Sequence, residues 1–497
     1  MDFNLKRSRA VFDGNVTITA DSSAQGRAAA PAPANGPAGN PLVADANVVI
    51  TFNHLHDLRA PRTPRVFKPI MSHQIYGEGE EIKGYIDPRV DVTLSPMFLP
   101  LLEVSYKSKL LSDEQATSLM EPMERAFRGD DGEGDNVVMT DRSAFEAAME
   151  GEAGELGADA DLGEVVLQRG LKDSTKDSVL TVYRSTLAEA SGVVKKLHRR
   201  MEPLLLFFID AASAIDAEDP CWEFLLCTVT EGDGGVRVVG LATVYAFYVY
   251  PDQRRFRLSQ AFVMPGDQGK GIGSAIVDAV FEVAKERNVV DITLEDPTDD
   301  FRRLRDRKDL KEMVARDWVL AEARAAIGGV SKAMKTSAPD AAAALRPGKE
   351  FMKRLGGELM MNAKQAERMW ESLLYKLAVE AALDESNADE GTLATVVEGW
   401  MSKNIEASFV GKDGETKAKE VAADKVIKDT FDGDERQFIL YKDARKAKTA
   451  CLNVQKLPAN LESMMPVNDV TDESQQNAIA EYVTTRIGEV RTLVGCA

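Results

Sequence analysis

Hydrophobic positions along the chain follow two spacings, and the order in which they occur sets out an architecture. NVVITFNHL, from Asn47, alternates and is β-branched, which predicts a strand. Apolar segments follow at VDVTLSP and FLPLLEVSY, and VVLQRG and SVLTVYRS read as further strands. From Thr186 to Asp210 the apolar residues recur at helical spacing. Residues 222–295 then give strands WEFLLCTV, VRVVGLATVYAFYVY and FRLSQAFVM, a glycine-rich turn, a helix SAIVDAVFEVAKERN and a strand VVDITLE. Mixed strands with one helix between the last two predict an α/β core. Downstream of Thr298 the chain reads as helical, with breaks at LRPGKE and at Asp432–Glu435, and no repeat of fixed period is present.

Composition changes this picture at a few places. Residues 21–45 are nearly all Ala, Pro, Gly, Asn and Ser, so residues 1–46 are expected to be a disordered leader. Between Gly129 and Glu164 twelve acidic residues face the single Arg142, which predicts a solvated acidic insertion. The whole chain is 44% hydrophobic, which excludes wholesale disorder, and 497 residues make room for roughly two to four domains.

The chain has 80 acidic and 61 basic side chains, a net charge of −19. That balance repels phosphate, and no basic stripe interleaved with aromatics offsets it, so direct nucleic acid binding is not expected. A cationic partner suits the charge, and so does solubility alone. The longest apolar run, Leu204–Ile209, is far short of the roughly 20 residues of a membrane span, and MDFNLKRSRA has no signal-peptide core. Cys221, Cys227, Cys451 and Cys496 lack C-x-x-C spacing, and His54, His56 and His73 lack a metal-ligand spacing. The expectation is a soluble, intracellular, metal-free protein of a reducing compartment.

The segment richest in chemistry is Gln268-Gly269-Lys270-Gly271-Ile272-Gly273, followed by Ser274, between a strand and a helix. Its glycines let successive N–H groups turn toward a phosphate, and the helix N-terminus adds partial positive charge. A flexible strand-to-helix connection explains the same letters. Walker A spacing is absent, since Lys270 comes too early and no Ser or Thr adjoins it, and Rossmann spacing is absent too. What matches is Q-x-x-G-x-G through Gln268, Gly271 and Gly273, the pyrophosphate signature of Gcn5-related N-acetyltransferases. Ile272, Ile276, Ala279, Val280 and Val283 share one helix face, which would pack on the sheet.

GLATVYAFYVYPD, RLSQAFVMPGDQGKGIG and VVDITLEDPTDDFRRLRD together resemble the catalytic subunit of type B histone acetyltransferases. The pattern continues upstream in VFKPIMSHQIYGEGEEIKGY and LLLFFIDAASAID and downstream in NAKQAERMWESLLYKLA. This resemblance implies a mixed-sheet acetyltransferase core over residues 216–312. It further implies an N-terminal α+β histone-binding domain over 47–215, containing the acidic insertion, and a C-terminal helical domain over 313–497. It implies acetyl-CoA as cosubstrate, held by Ala261, Phe262 and Val263, by Gln268 through Ser274, and by Pro297. The tail of newly made, free histone, most of all core histone four, would be the substrate. A β-propeller histone chaperone is the implied partner, and cytoplasm and nucleus are the implied locations.

A lysine ammonium must lose a proton before it can attack a thioester, and a carboxylate in an apolar cleft is suited to take it. Glu295 ends a strand before Pro297, and with the adjacent Asp296 carboxylate it forms a candidate catalytic base site; a solvated turn or a cap made by Asp296 explains the same residues, and the resemblance implies that Glu295 is the base. Asp210 stands where the family usually has glutamate, as a candidate base or lysine-orienting group, or as the acidic end of a helix. Glu78, Glu80, Tyr245, Ala246 and Phe247 correspond to segments that contact the histone tail in the family; a surface turn and core positions explain them otherwise. Cys227 lies in an apolar strand without an activator, which favours direct transfer in a ternary complex. Phe301 occupies the place where related enzymes often carry a tyrosine that protonates the thiolate.

Pro265-Gly266-Asp267, the acidic insertion, the leader and the tail after about residue 385 depart from the family. Asp267 puts a carboxylate beside the phosphate turn and is expected to weaken coenzyme binding unless Lys270 offsets it. The basic helix FRRLRDRKDLK either reaches coenzyme phosphate or is a solvated helix with acidic partners. An N-terminal-amine or small-molecule acetyltransferase and a weakly active acyl-CoA-binding histone scaffold remain the competing readings.

Overall fold

The computed structural model describes residues 43–56, 63–128, 137–335 apart from 153, 158, 172–177 and 233, then 344–384 and part of 393–401. Most of the expected leader, the break at Asp432–Glu435, Cys451 and Cys496 lie outside the described residues.

In chain order the strands are β1 (Val43–Asp45), β2 (Ile50–His54), β3 (Arg65–Phe67), β4 (Glu81–Lys83), β5 (Tyr85–Ile86), β6 (Arg89–Leu94), β7 (Pro100–Ser105), β8 (Ser108–Lys109), β9 (Glu164–Gly170), β10 (Val179–Thr186), β11 (Trp222–Thr230), β12 (Val236–Val249), β13 (Gln253–Val263) and β14 (Val289–Leu294). The helices are α1 (Ala46–Val49), α2 (His73–Tyr76), α3 (Glu121–Arg128), α4 (Arg142–Gly151), α5 (Gly192–Leu205), α6 (Ile272–Glu286), α7 (Asp299–Val314), α8 (Asp317–Lys335), α9 (Lys349–Leu359) and α10 (Ala363–Asp384). A six-stranded sheet has the order β14-β13-β12-β11-β10-β9, and a four-stranded sheet the order β3-β2-β6-β7. In the larger sheet β13 and β14 are parallel, whereas β9, β10, β11 and β12 pair antiparallel, so the sheet is mixed and the fold is α/β.

The chain divides into two compact units. Among the described residues one runs to Ala246 and adds Ser259–Val283; the other takes Phe247–Leu258 and resumes at Ala284. The boundary thus falls within β12, β13 and the last turn of α6.

In the first unit β11 is a continuous apolar run because nearly its whole length is buried, Phe224 to Val229 among it. The smaller sheet buries Ile50, Phe52, Val90, Val92 and Leu94. Phe52 stacks on Phe67 at 5.2 Å between centroids and meets Phe207 edge-on at 5.1 Å. A fully buried phenylalanine contributes about 1.5–3 kcal/mol, so this cluster fixes the chain just past α5 against the sheet. Helix α5 starts where the Ser191 hydroxyl accepts from Val194 N–H at 3.3 Å, and it buries Val194, Leu197, Met201, Leu204 and Leu205.

Two expectations change here. Residues 46–49 form a helical turn rather than the start of a strand, because the Asp45 carboxylate accepts from Asn47 N–H at 2.8 Å and caps it. The described part of the acidic stretch is not a solvated insertion. Asp141 caps α4 by accepting from Ala144 N–H at 2.7 Å, and Phe145 and Met149, each 1% exposed, pack with Leu99 and Leu101. Its carboxylates are paired as well: Glu152 takes both Arg200 Nη groups at 2.9 and 2.8 Å, and Glu155 takes Lys196 at 2.7 Å. An apolar pair four residues apart outweighs a run of charge when basic side chains lie opposite it.

Helix α6 buries the predicted face, and also Ala275, Val277, Phe281 and Ala284. It is therefore covered nearly all round rather than along one stripe.

In the second unit α7, α8, α9 and α10 share a core that includes Leu310, Val319, Leu355, Trp370 and Leu374. The edge strand β14 is not left open: Ile292 N–H donates to Met360 O at 3.0 Å, and Ile292 O accepts from Arg305 Nη1 at 3.1 Å. Arg305 in turn pairs with Asp309 at 2.8 Å, and both are buried. Arg303 pairs with Asp300 and Lys308 with Glu312, so the basic helix carries acidic partners of its own.

Candidate active site

Gln268 to Gly271 turn the chain from β13 into α6. Gly269 has φ 76° and Gly271 φ 87°, left-handed values that side chains disfavour, which is why the turn is glycine-rich. The Gln268 amide donates to Val263 O at 3.1 Å, closing the turn on the strand before it. Ala261, Phe262 and Val263 are buried, so their side chains belong to the core and only backbone groups can serve a ligand. At the start of α6 the N–H groups of Ile272, Gly273 and Ser274 have no preceding helical carbonyl to bond, the usual condition for holding a phosphate oxygen. Arg169 of β9 donates to Gly271 O and to Asp278 at 3.1 Å, pinning the turn to the helix it starts.

Asp267 lies at the foot of this turn, 1% exposed. Arg65 donates to it, as do Arg237 at 2.6 Å and Lys270 at 2.8 Å; Lys270 also holds Gly266 O at 2.8 Å. Burial pushes this carboxyl upward, but Arg237, Arg65 and Lys270 outweigh it and hold its pKa at about 2. Arg237 is shared with Glu231 at 3.1 Å, so three cations meet two carboxylates and the turn keeps a surplus positive charge. The expected penalty of Asp267 on coenzyme binding is therefore offset, and by more than Lys270. This donor set fits the diphosphate of acetyl-CoA.

Glu295 follows the last residue of β14, and its N–H extends the ladder to Leu258 O at 3.0 Å. Its side chain is 30% exposed, with Arg257 Nε 3.4 Å from Oε2. The Arg257 guanidinium also lies 4.6 Å over the Phe247 ring. The surroundings are thus half-open and ion-paired, not the closed apolar cleft expected for a base. Asp296 turns with φ 38°, aiming the chain sharply away after Glu295. The cap of α7 is Thr298, which accepts from Phe301 N–H at 3.3 Å; Asp296 does not make it, and Pro297 only leads into it. Phe301 is buried.

Asp210 comes after α5 and before Ala211, whose φ is 55°. Its carboxylate lies 3.1 Å from His73 Nε2. Glu80, itself at φ 49°, accepts from the N–H groups of Ser72 and of His73, the latter at 3.0 Å, and from the Asn47 amide at 2.9 Å. Both Glu80 oxygens are thus engaged by the chain that precedes it, at Ser72–His73 and at Asn47. Glu78 is exposed. Tyr245 donates to Asp219 at 3.1 Å and meets Trp222 edge-on at 4.8 Å; burial and this bond push its hydroxyl up to about 12. Ala246 is buried and donates its N–H to Cys221 O at 2.9 Å, so its side chain is core. Cys227 is fully buried, which pushes its thiol up to about 12 and removes it as an acyl carrier.

The loop after Asp210 is anchored from two sides. The Gln260 amide donates to Ser213 O at 2.8 Å, and Glu202 accepts from Ile215 N–H at 2.8 Å. Burial pushes the Glu202 carboxyl up to about 7, with His198 Nε2 3.8 Å away. A raised folded value means that stability is full below the ordinary carboxyl range and is lost as pH rises through about 7. Glu202→Gln is accordingly expected to melt like wild type at pH 4.5 and to be more stable at pH 8 by roughly 3 kcal/mol. Calorimetry at the two pH values checks this.

His73, Arg65, Arg169, Arg237 and Arg257 were not singled out by the sequence as parts of a site. Two of them lay in segments already marked for the resemblance, His73 in MSHQIYGEGEE and Arg257 in RLSQAFVMPGDQGKGIG. Among the described residues no group of three His, Cys, Asp or Glu is placed to hold a metal ion, and no helix is long and apolar enough to cross a membrane.

Known proteins match the chain over two overlapping stretches. The family described as "Histone acetyl transferase HAT1 N-terminus" matches residues 42–210, and "Acetyltransferase (GNAT) family" matches residues 197–304. The "Histone acetyltransferase type B catalytic subunit" of Arabidopsis thaliana is 26% identical over 433 residues, covering 85% of each chain. Its counterpart in Mycosarcoma maydis is 30% identical over 277 residues, 51% of this chain and 61% of that one. That of Yarrowia lipolytica is 32% identical over 271 residues, 50% of this chain and 56% of that one. With a mixed α/β sheet, a Q-x-x-G-x-G turn at the start of a buried helix and these matches, the chain carries a Gcn5-related N-acetyltransferase domain, is an acetyltransferase, and is similar over most of its length to type B histone acetyltransferase catalytic subunits.

Proposed function

We propose that this protein transfers acetyl from acetyl-CoA directly to lysine side chains in the N-terminal tail of free, newly made histone, with core histone four as the main substrate. The observation that carries the coenzyme part is the Gln268–Gly273 turn, whose left-handed glycines and surplus positive charge suit a diphosphate. Acetyl-CoA would supply an acyl group already activated as a thioester, whose C–S bond breaks as the lysine nitrogen bonds to the carbonyl carbon, coenzyme A departing as thiolate or with a proton taken from water. Gln268 through Ser274 would hold its diphosphate, and the backbone of Ala261–Val263 and Pro297 would hold the remainder.

Glu295 accepts the proton that the lysine ammonium must lose, with Arg257 fixing the direction of its carboxylate. Asp296 turns the backbone so that Glu295 ends the strand. Asp210 receives the lysine ammonium and orients it. Exposed Glu78 draws basic tail residues, and Tyr245 and Phe247 offer aromatic faces to the tail's methylenes. The buried thiol of Cys227 supports direct transfer without an acetyl-enzyme. A β-propeller chaperone as partner, and cytoplasm and nucleus as locations, rest on the family resemblance.

The test is substrate choice. Purified protein and acetyl-CoA are offered a histone-four tail peptide, the same peptide with its lysines changed to arginine, free amino acids and polyamines. The proposal expects turnover of the first and background on the rest. Equal rates on free amines would replace it with a small-molecule acetyltransferase, and acetylation of the arginine peptide at its N-terminus would replace it with an N-terminal-amine enzyme.

A further inference from the structure

One histidine sits between two of the carboxylates considered above. His73 Nε2 is 3.1 Å from Asp210 Oδ1, and its Nδ1 is 4.0 Å from Glu80 Oε1. The side chains of His73, Asp210 and Glu80 are 23%, 27% and 29% exposed, so the group is reachable yet shielded enough to hold its geometry. The frame around it is fixed by backbone bonds. Ile70 and Met71 N–H both donate to Phe207 O, at 3.2 and 3.3 Å, and the Gln74 amide donates to Ala212 O at 2.9 Å. The segment carrying His73 is therefore tied to the segment carrying Asp210 both before and after the side-chain contact.

That contact has a chemical consequence. A carboxylate one methylene shorter than glutamate reaches less far, so its direction matters more. With Oδ1 engaged by the imidazole, Oδ2 is the oxygen left to meet a cation, and rotation about the Asp210 side chain is blocked. Glu80 holds the backbone N–H of His73, which keeps the imidazole's own backbone in place whatever side chain it carries.

We propose that His73 is a positioning residue for Asp210, fixing one carboxylate oxygen so that the other receives the lysine ammonium of the tail. The inference rests on the role given to Asp210 above and is separable from the role of Glu295.

The experiment uses the full chain, acetyl-CoA and a fluorescent histone-four tail peptide, with wild type, His73→Ala, His73→Gln, Asp210→Asn and the His73→Ala/Asp210→Asn double variant. Peptide Kd is read by anisotropy without turnover, and kcat, both KM values and the melting temperature are read separately. His73→Ala is expected to weaken peptide binding and kcat/KM by about tenfold to a hundredfold, the range set by misplacing a contact by about 1 Å. Acetyl-CoA KM and melting temperature should stay at wild-type values. His73→Gln, whose amide can still donate to Asp210, should recover most of the loss. The double variant should be no worse than Asp210→Asn alone.

Wild-type peptide binding by His73→Ala overturns the inference. So does a loss that multiplies with that of Asp210→Asn, or one that tracks a fallen melting temperature and is not recovered by glutamine. A silent Asp210→Asn also overturns it, while leaving acetyl transfer through Glu295 standing. Peptide that binds with the expected variant pattern but is never acetylated would instead sink the reaction and keep the positioning.

Discussion

Glu295→Gln is expected to lower kcat on a histone-tail peptide by about 10²- to 10⁴-fold, the usual worth of a general base. Glutamine keeps the shape, and the N–H that extends the ladder to Leu258 is main chain, so the fold at this strand end is untouched. Both KM values and the melting temperature should stay near wild type, since what is lost is proton transfer and not binding. Steady-state kinetics with the peptide and acetyl-CoA varied in turn separate these quantities. A variant with full kcat would take Glu295 out of the base role. One with normal kcat and raised peptide KM would make it a binding group, and its pairing with Arg257 would then be the more informative contact.

Asp267→Ala carries the second large effect, and here sequence and structure predict opposite signs. A carboxylate beside a phosphate turn, read from sequence, should repel the coenzyme, so removing it should tighten binding. In the structure the same carboxylate is buried and holds Arg65, Arg237 and Lys270 together. Alanine would leave these cations facing one another and free Lys270 from its place beside Gly266. Breaking a buried ion cluster in this way costs about 3–5 kcal/mol. The first unit should therefore melt roughly 10 °C lower, and acetyl-CoA affinity should fall as the turn loosens. Scanning calorimetry and titration of acetyl-CoA give both readings. Tighter coenzyme binding at an unchanged melting temperature would restore the simpler sequence argument.

These two positions also show what a sequence can and cannot carry. Strands β10, β11, β12, β13 and β14 and helix α6 were legible because their signal is local: β-branched runs, an apolar stripe, and glycines between them. The turn at Gln268–Gly273 was legible for the same reason, and so was the core cysteine. Local reading failed where a partner comes from far along the chain. Asp267 meets Arg65 across 202 residues, and Arg169 meets Gly271 across 102, and no spacing rule connects them. Acidic residues at 141–155 looked solvated because Arg200 and Lys196, which pair with them, stand outside the stretch. Glu80 and His73 lie seven residues apart in a marked segment, yet their bonds depend on a left-handed turn at Glu80 that its residue type does not announce. The half-open setting of Glu295 was likewise hidden, because Arg257 sits on the neighbouring strand and not beside it in sequence.

The central claim is direct transfer to a lysine within one complex of protein, acetyl-CoA and peptide. It is tested by mass spectrometry of enzyme and peptide taken from the same reaction, sampled within the first turnover and again after many. The account predicts acetyl on peptide lysines at both times and none on Cys227 or elsewhere on the enzyme, with the peptide signal in Glu295→Gln lowered in proportion to its kcat. Acetyl found first on the enzyme and later on the peptide, or no acetyl on the peptide at all, would contradict it.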